Sequence, residues 1–249
     1  MNNKPLYFVA VPTVAGSGAE CTKNCVITDR KKKYKRSFRD DRLIADLVVL
    51  DPQLMRTVPI DVVIRSGMDA FSQLIEVFTS VKSDQIIKNL VSPYISQCIN
   101  ALYKLFSDKD DLDASGTLLS CAAISGIGLT NGGLGAIHGL ASGIGSISNL
   151  PHGLICAILL PHIIKINSMS KPELYAPLSE ILNIEEKYLN ERFTEINEYF
   201  RIPTDFTQFD IDKSEASEIV RLSMGGSMNG NPVNLSKEFL VEFVEGLLC

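Results

Sequence analysis

Histidine occurs three times in the 249 residues, always between positions 138 and 162, in the segments GAIHGLASGIG, NLPHGLICA and LLPHIIKIN. His138 falls in a helical pattern and His152 follows Pro151 at the start of the next, so the turn between them can bring both rings to one point. Two converging imidazoles need one carboxylate to make a divalent-metal site with an open face, an arrangement suited to Fe2+, Zn2+ or Mn2+. No Asp, Glu, Lys or Arg occurs from Ala114 to Ile164, so the acid has to come from another element. Asp69 is the best candidate. It shares one face of a long helix with Arg65, Gln73 and Glu76, at spacings of four, four and three. Gln73, one turn on, reads either as a weak amide-oxygen ligand or as a group behind the ligands. By composition alone the same stripe reads as the solvated side of an amphipathic helix. His162, after Pro161, is expected to satisfy a backbone group. Cys21 and Cys25 have no neighbouring His and are not expected to bind zinc. No GxSxG elbow, HExxH pair or Walker-type loop is present.

Two kinds of element must position these residues. Three short β-rich runs at 7–11, 24–28 and 46–50 are separated by Gly-rich or highly charged connections. The densest of these, DRKKKYKRSFRDDR, reads as a solvated hairpin, with phosphate contact as the alternative. Beyond Asp51-Pro52 the pattern changes. Pro59 suits a first helical turn, and Ile60, Val63, Ile64, Met68, Phe71, Leu74, Ile75 and Phe78 recur at helical spacing. Further helices are expected at 84–106, 113–129, 134–147, 153–166, 214–224 and 236–248. The chain is therefore expected to be mainly α, with residues 1–56 a short β-rich piece and 57–249 an all-helical domain. Three short strands cannot bury two faces of a sheet, so the first piece is either an appendage or the end of a fuller α/β domain.

Composition narrows the function. The chain is 45% hydrophobic and 21% charged, enough to bury a large core, which excludes disorder. A net charge of -5 and the absence of Trp argue against nucleic acid or an anionic membrane surface as a partner. The six cysteines are too sparse for a disulfide framework, and the N-terminus lacks the pattern of a signal peptide, so the cytoplasm is expected. The uncharged stretch is interrupted by Asn131, Asn149, Pro151, Pro161 and the histidines, which argues against a membrane span.

The segments PTVAGSGAE, VITD, VVLDPQL, SGMDAFSQLIE, GLGAIHGLASGIG and LPHGLICAILLP, in this order, resemble the iron-containing (type III) alcohol dehydrogenases. SMNGNPVNLS is similar to that family's closing segment. The resemblance implies a helical metal-binding domain of the dehydroquinate synthase-like C-terminal type, preceded here by the end of an α/β dinucleotide-binding domain. It implies a divalent metal, Fe2+ first and Zn2+ or Mn2+ otherwise, and NAD or NADP meeting in the cleft between the domains. The ligand Asp and the two ligand His of the family fall on Asp69, His138 and His152, the same three residues the spacing suggests. The cofactor turn falls on Thr13, Gly16 and Ser17, with Thr22 and Lys35 as further matching positions.

Three departures stand out. Many members have a fourth ligand His where this chain has Gln73, and a second, proton-relaying His where it has Ser142. A branch of the family carries Gln at the first position and lacks the second His. The family's pyrophosphate loop and ribose-binding acid belong to a region preceding Pro5, so this chain by itself is expected to hold NAD(P) weakly. The expected activity is metal-assisted hydride transfer between a small alcohol or aldehyde and the nicotinamide, with a homodimer as the expected assembly. A truncated or decayed homologue that keeps the fold, with or without the metal, and has no dehydrogenase activity is the alternative.

Overall fold

The computed structural model describes residues 6–29 and 34–248. All strands precede the first long helix. β1 (Val9–Ala10) pairs in parallel with β4 (Leu47–Val48), in the register Val9↔Leu47 and Ala10↔Val48. Val9, Val11, Leu47 and Val49 remain exposed on this small sheet, although parallel strands normally have both faces covered. β2 (Asn24–Asp29) and β3 (Tyr34–Arg39) form an antiparallel pair. The basic run is thus a hairpin with a strand of its own, not merely a connection. Its tip and the side chain of Lys35 lie outside the described residues, although the Lys35 backbone pairs opposite Thr28.

Nine helices follow among the described residues: α1 (Ile60–Thr79), α2 (Gln85–Ser107), α3 (Leu112–Gly132), α4 (Ala136–Ile147), α5 (His152–Ser170), α6 (Pro172–Leu182), α7 (Leu189–Tyr199), α8 (Ala216–Ser223) and α9 (Lys237–Leu247). Side-chain caps start several of them. Asp84 accepts from the Ile87 N–H, Asp111 from Ala114 and Ser236 from Phe239, each satisfying a donor that a helix start leaves unpaired. α6 and α7 have no counterpart in the sequence expectation. Pro172, Pro177 and a charged surface mask the apolar face by which Tyr175, Leu178, Phe193 and Ile196 pack into the core.

α1 is the axis of the bundle and packs against α2, α3, α4 and α5. Every residue from Gly67 to Val77 is buried, so its polar face is enclosed and not solvated. Enclosed charges and amides have to be paired, and their pairing builds the site described below.

α3 and α5 are long and apolar enough to cross a membrane, and Pro161 does not interrupt α5. Inside the bundle 56% of the apolar window of α3 and 61% of that of α5 are buried, as in helices that form a protein core.

Candidate metal centre

The centre is assembled from α1, α4 and α5. Asp69 lies midway along α1, His138 in the first turn of α4, and His152 is the first residue of α5. A close approach of backbones brings them together. A Cβ on Gly153 would fall 2.0 Å from the Arg65 carbonyl oxygen, so only glycine lets the start of α5 rest on α1 and presents His152 to Asp69.

Asp69 Oδ1 is 3.2 Å from His138 Nε2 and 3.7 Å from His152 Nε2. Two N or O donors held about 2.0–2.1 Å from one ion at the tetrahedral angle lie about 3.3 Å apart, so the separations fit a divalent cation. Asp69 and His138 are each 5% exposed, whereas the His152 side chain is 46% exposed toward the cleft. Cys156, one turn after His152, adds its sulfur, and the four donor atoms lie within 4.8 Å of one another. The spacing expectation did not include Cys156, although its i,i+4 relation to His152 was visible in LPHGLICA.

Glu76, two turns beyond Asp69, occupies the other side of His138. Its Oε2 is 2.6 Å from His138 Nδ1, while Oε1 accepts the Ile137 N–H at 2.6 Å. A carboxylate can only accept, so Nδ1 donates to Glu76, and Nε2, directed at Asp69 Oδ1, is the nitrogen that would ligate a cation in place of its own proton. Glu76 also does the capping that α4 lacks, since its N-cap is Gly135. Asn231 Oδ1 takes the Ala136 N–H and is braced by Asn167. In Glu76→Gln one end of the side chain donates, so it can serve only one of these two N–H groups. We expect metal affinity to fall about 10–100-fold, the usual cost of losing a partner behind a ligand, as measured by chelator competition.

Charge in the cluster is mutually reinforcing. Burial pushes the Asp69 carboxyl up, but the hydrogen bond from His138 and the charge of His152 outweigh it and hold it below the ordinary range. Burial opposes protonation of His138, yet Cys156, Glu76 and Asp69 together hold its pKa well above the usual value. His152 is pushed up to about 9, first by Cys156 and against burial. Burial raises the Cys156 thiol, but the two imidazoles bring it below its ordinary value.

Gln73 is 1% exposed. Its amide nitrogen donates to the Ser17 carbonyl and to Ser125 Oγ, both at 3.0 Å. Because the Ser17 carbonyl only accepts, the amide orientation is fixed and the Gln73 oxygen is the one end left to face a cation. The same bond ties the 16–18 turn to α1. Gly18 has φ +62, and a Cβ there would fall 2.1 Å from the Ala122 carbonyl, so this turn docks onto α3 only through glycine.

A cleft of about 520 Å3 opens over the centre, lined by Ser17, Thr22, His138, Ser142, His152 and Leu222 among others. A second, of about 370 Å3, runs along Gly16, Ser17 and Gly18 to Asp69. Thr22 is buried and donates to the Ala19 carbonyl. Thr13 is exposed and lines neither cleft. Ser142 borders the larger cleft, but its hydroxyl donates to the His138 backbone carbonyl and not to the ring. Arg65 pairs with Asp61 at 3.5 Å, away from the donors. His162 Nε2 meets the Thr204 carbonyl at 2.7 Å, the backbone role expected of it.

A mainly helical fold of this kind has counterparts among known proteins. Residues 63–248 match the C-terminal model of the Fe-containing alcohol dehydrogenase family, and residues 1–52 match the iron-containing alcohol dehydrogenase model. The chain belongs to the iron-containing alcohol dehydrogenase family. It is 28% identical over 250 residues to the NADPH-dependent butanol dehydrogenase of Clostridium saccharobutylicum, covering 96% of this chain and 64% of that protein. It is 29% identical over 180 residues to the NAD-dependent methanol dehydrogenase of Bacillus methanolicus, covering 72% of this chain and 47% of that protein. The alcohol dehydrogenase from Oenococcus oeni superposes with a TM-score of 0.91 at 25% identity, covering 96% of this chain and 65% of that structure. The chain thus spans between about half and two thirds of the length of these relatives.

Proposed function

We propose that this chain is the cation-binding part of an alcohol dehydrogenase-type oxidoreductase that interconverts a small alcohol and its carbonyl compound with NAD or NADP. The observation that carries the reading is the meeting of Asp69, His138 and His152 in a cleft beside the 16–18 turn. Asp69 Oδ1, His138 Nε2 and His152 Nε2 would hold the cation. When bound, a divalent cation there supplies Lewis-acid polarisation of a substrate oxygen, and a nicotinamide supplies the hydride acceptor.

The chain's own residues do the positioning. Glu76 keeps a proton on His138 Nδ1 and so directs Nε2 toward the cation position. Gln73 holds the cofactor turn at a fixed distance from α1 through the Ser17 carbonyl. Leu134, Leu222 and Met224 give the cleft an apolar wall suited to an alkyl substituent. Gly16, Ser17 and Thr22 are assigned to the cofactor because they border the clefts. Thr13 and Lys35 are assigned by resemblance alone, whereas the division into residues 1–56 and 57–249 rests on the change from strand to helical patterning after Asp51-Pro52.

The test is oxidation of NADH and NADPH by the reduced chain with a panel of short aldehydes, after loading with Fe2+, Zn2+ or Mn2+. We expect turnover that depends on the added metal and stops with a chelator. A chain that binds metal but turns over no aldehyde with any of the three ions would instead support the reading of a homologue without dehydrogenase activity.

A further inference from the structure

We propose that Cys156 is a fourth, thiolate donor to the cation of this centre, and that the resulting donor set favours Zn2+ over Fe2+. The inference rests on the reading above, in which Asp69, His138 and His152 hold a divalent ion. On α5, His152 and Cys156 are one turn apart on the same face. Cys156 Sγ lies 3.6 Å from His152 Nε2. A nitrogen about 2.0–2.1 Å and a sulfur about 2.3 Å from one Zn2+ are separated by about 3.5–3.6 Å at the tetrahedral angle. All four donor atoms lie within 4.8 Å of one another.

The other buried thiols behave differently. Cys98 and Cys121 are fully buried, and their sulfurs point at the backbone carbonyls of Gly67 and Tyr94 at 3.7 Å, as inert core thiols do. Cys156 is equally buried, but its sulfur faces an imidazole of the centre. Gln73 offers only its amide oxygen, a weaker donor, because its amide nitrogen has no free lone pair and donates to Ser17 and Ser125.

Charge favours the same assignment. One carboxylate and one thiolate neutralise a divalent ion, which lowers the cost of placing it among buried helices. Thiolate is a soft donor that suits Zn2+, and Zn2+ already stands above Fe2+ in general affinity. With four donors from the protein, a substrate oxygen would enter as a fifth, an expansion that catalytic Zn2+ sites sometimes make.

The experiment is titration of the reduced, full 249-residue chain with Co2+, followed by absorption spectroscopy. We expect uptake of one ion, visible d–d bands and a near-ultraviolet sulfur-to-cobalt charge-transfer band. Cys156→Ser should keep the d–d bands and lose the charge-transfer band. Its Zn2+ affinity should fall by at least about tenfold, the lower end of what losing even an outer partner costs, and by more than its Fe2+ affinity. Visible bands without charge transfer in the wild type would overturn the thiolate assignment and leave the three-donor centre standing. A charge-transfer band that persists in Cys156→Ser would place the sulfur elsewhere and overturn it equally. Failure of the wild type to take up Co2+ at all would overturn both this assignment and the reading on which it rests.

Discussion

Asp69→Ala and His138→Ala each lose the bound ion on dialysis against a chelator that leaves it in the wild-type chain. Among the described residues Asp69 is the one carboxylate that reaches both imidazoles, at 3.2 and 3.7 Å, and its loss removes the negative charge that offsets a cation between the two rings. His138→Ala removes the ring that bridges Asp69 and Glu76. It also leaves Glu76 Oε2 buried without its partner. That should cost about 1–3 kcal/mol, or roughly 2–12 °C in Tm for a chain of this size. Elemental analysis of the dialysed proteins measures the first effect and a thermal melt the second. Full metal content in both variants would remove these residues from the centre.

Gly153→Ala is expected to empty the centre although it removes no donor. The added Cβ would stand 2.0 Å from the Arg65 carbonyl oxygen and 2.7 Å from its carbon. These are backbone atoms of a fully packed helix and cannot swing aside, so α5 has to move away from α1. His152 immediately precedes the substitution and moves with it, whereas Asp69 stays on α1. Overpacking of this kind costs about 1–3 kcal/mol and more against rigid backbone. Gly116→Ala is the control. Only Pro52 atoms lie near its added Cβ, at 3.9 Å, so it should be neutral or stabilise α3 by up to about 1 kcal/mol through helix propensity. Metal content and Tm of the two variants, measured side by side, check the argument. Wild-type values for both in Gly153→Ala would contradict it.

Much of this arrangement can be read from the residues. The helical period of Ile60 to Phe78 locates α1, and Pro151 before His152 marks the start of α5. His138 and His152 stand out as a pair because one short turn separates their helices, and Asp69 because the uncharged stretch from Ala114 to Ile164 supplies no acid of its own. The stripe of Arg65, Asp69, Gln73 and Glu76 is where residue type misleads. An amphipathic helix and a central helix with an enclosed polar face share the same spacing, and only packing shows that Asp69, Gln73 and Glu76 are buried while Arg65 stays near the surface.

Glu76 and Cys156 go unassigned for a related reason. Each acts through a neighbour reached only in the folded chain, Glu76 through a ring 62 residues away and Cys156 through a cluster drawn from three helices. α6 escapes notice because Pro172 and Pro177 suggest loop, and α7 because its surface is densely charged, yet Tyr175 and Phe193 lock the two helices into the core. Pro161 has no such effect, since the helix expected at 153–166 already runs through it and α5 continues to Ser170.

The most direct test of the centre is anomalous diffraction from crystals of the metal-loaded chain at the absorption edge of the bound ion. The account predicts one strong peak per chain, about 2.0–2.2 Å from Asp69 Oδ1, His138 Nε2 and His152 Nε2. A peak held by other residues, with these three side chains turned away from it, would contradict the account.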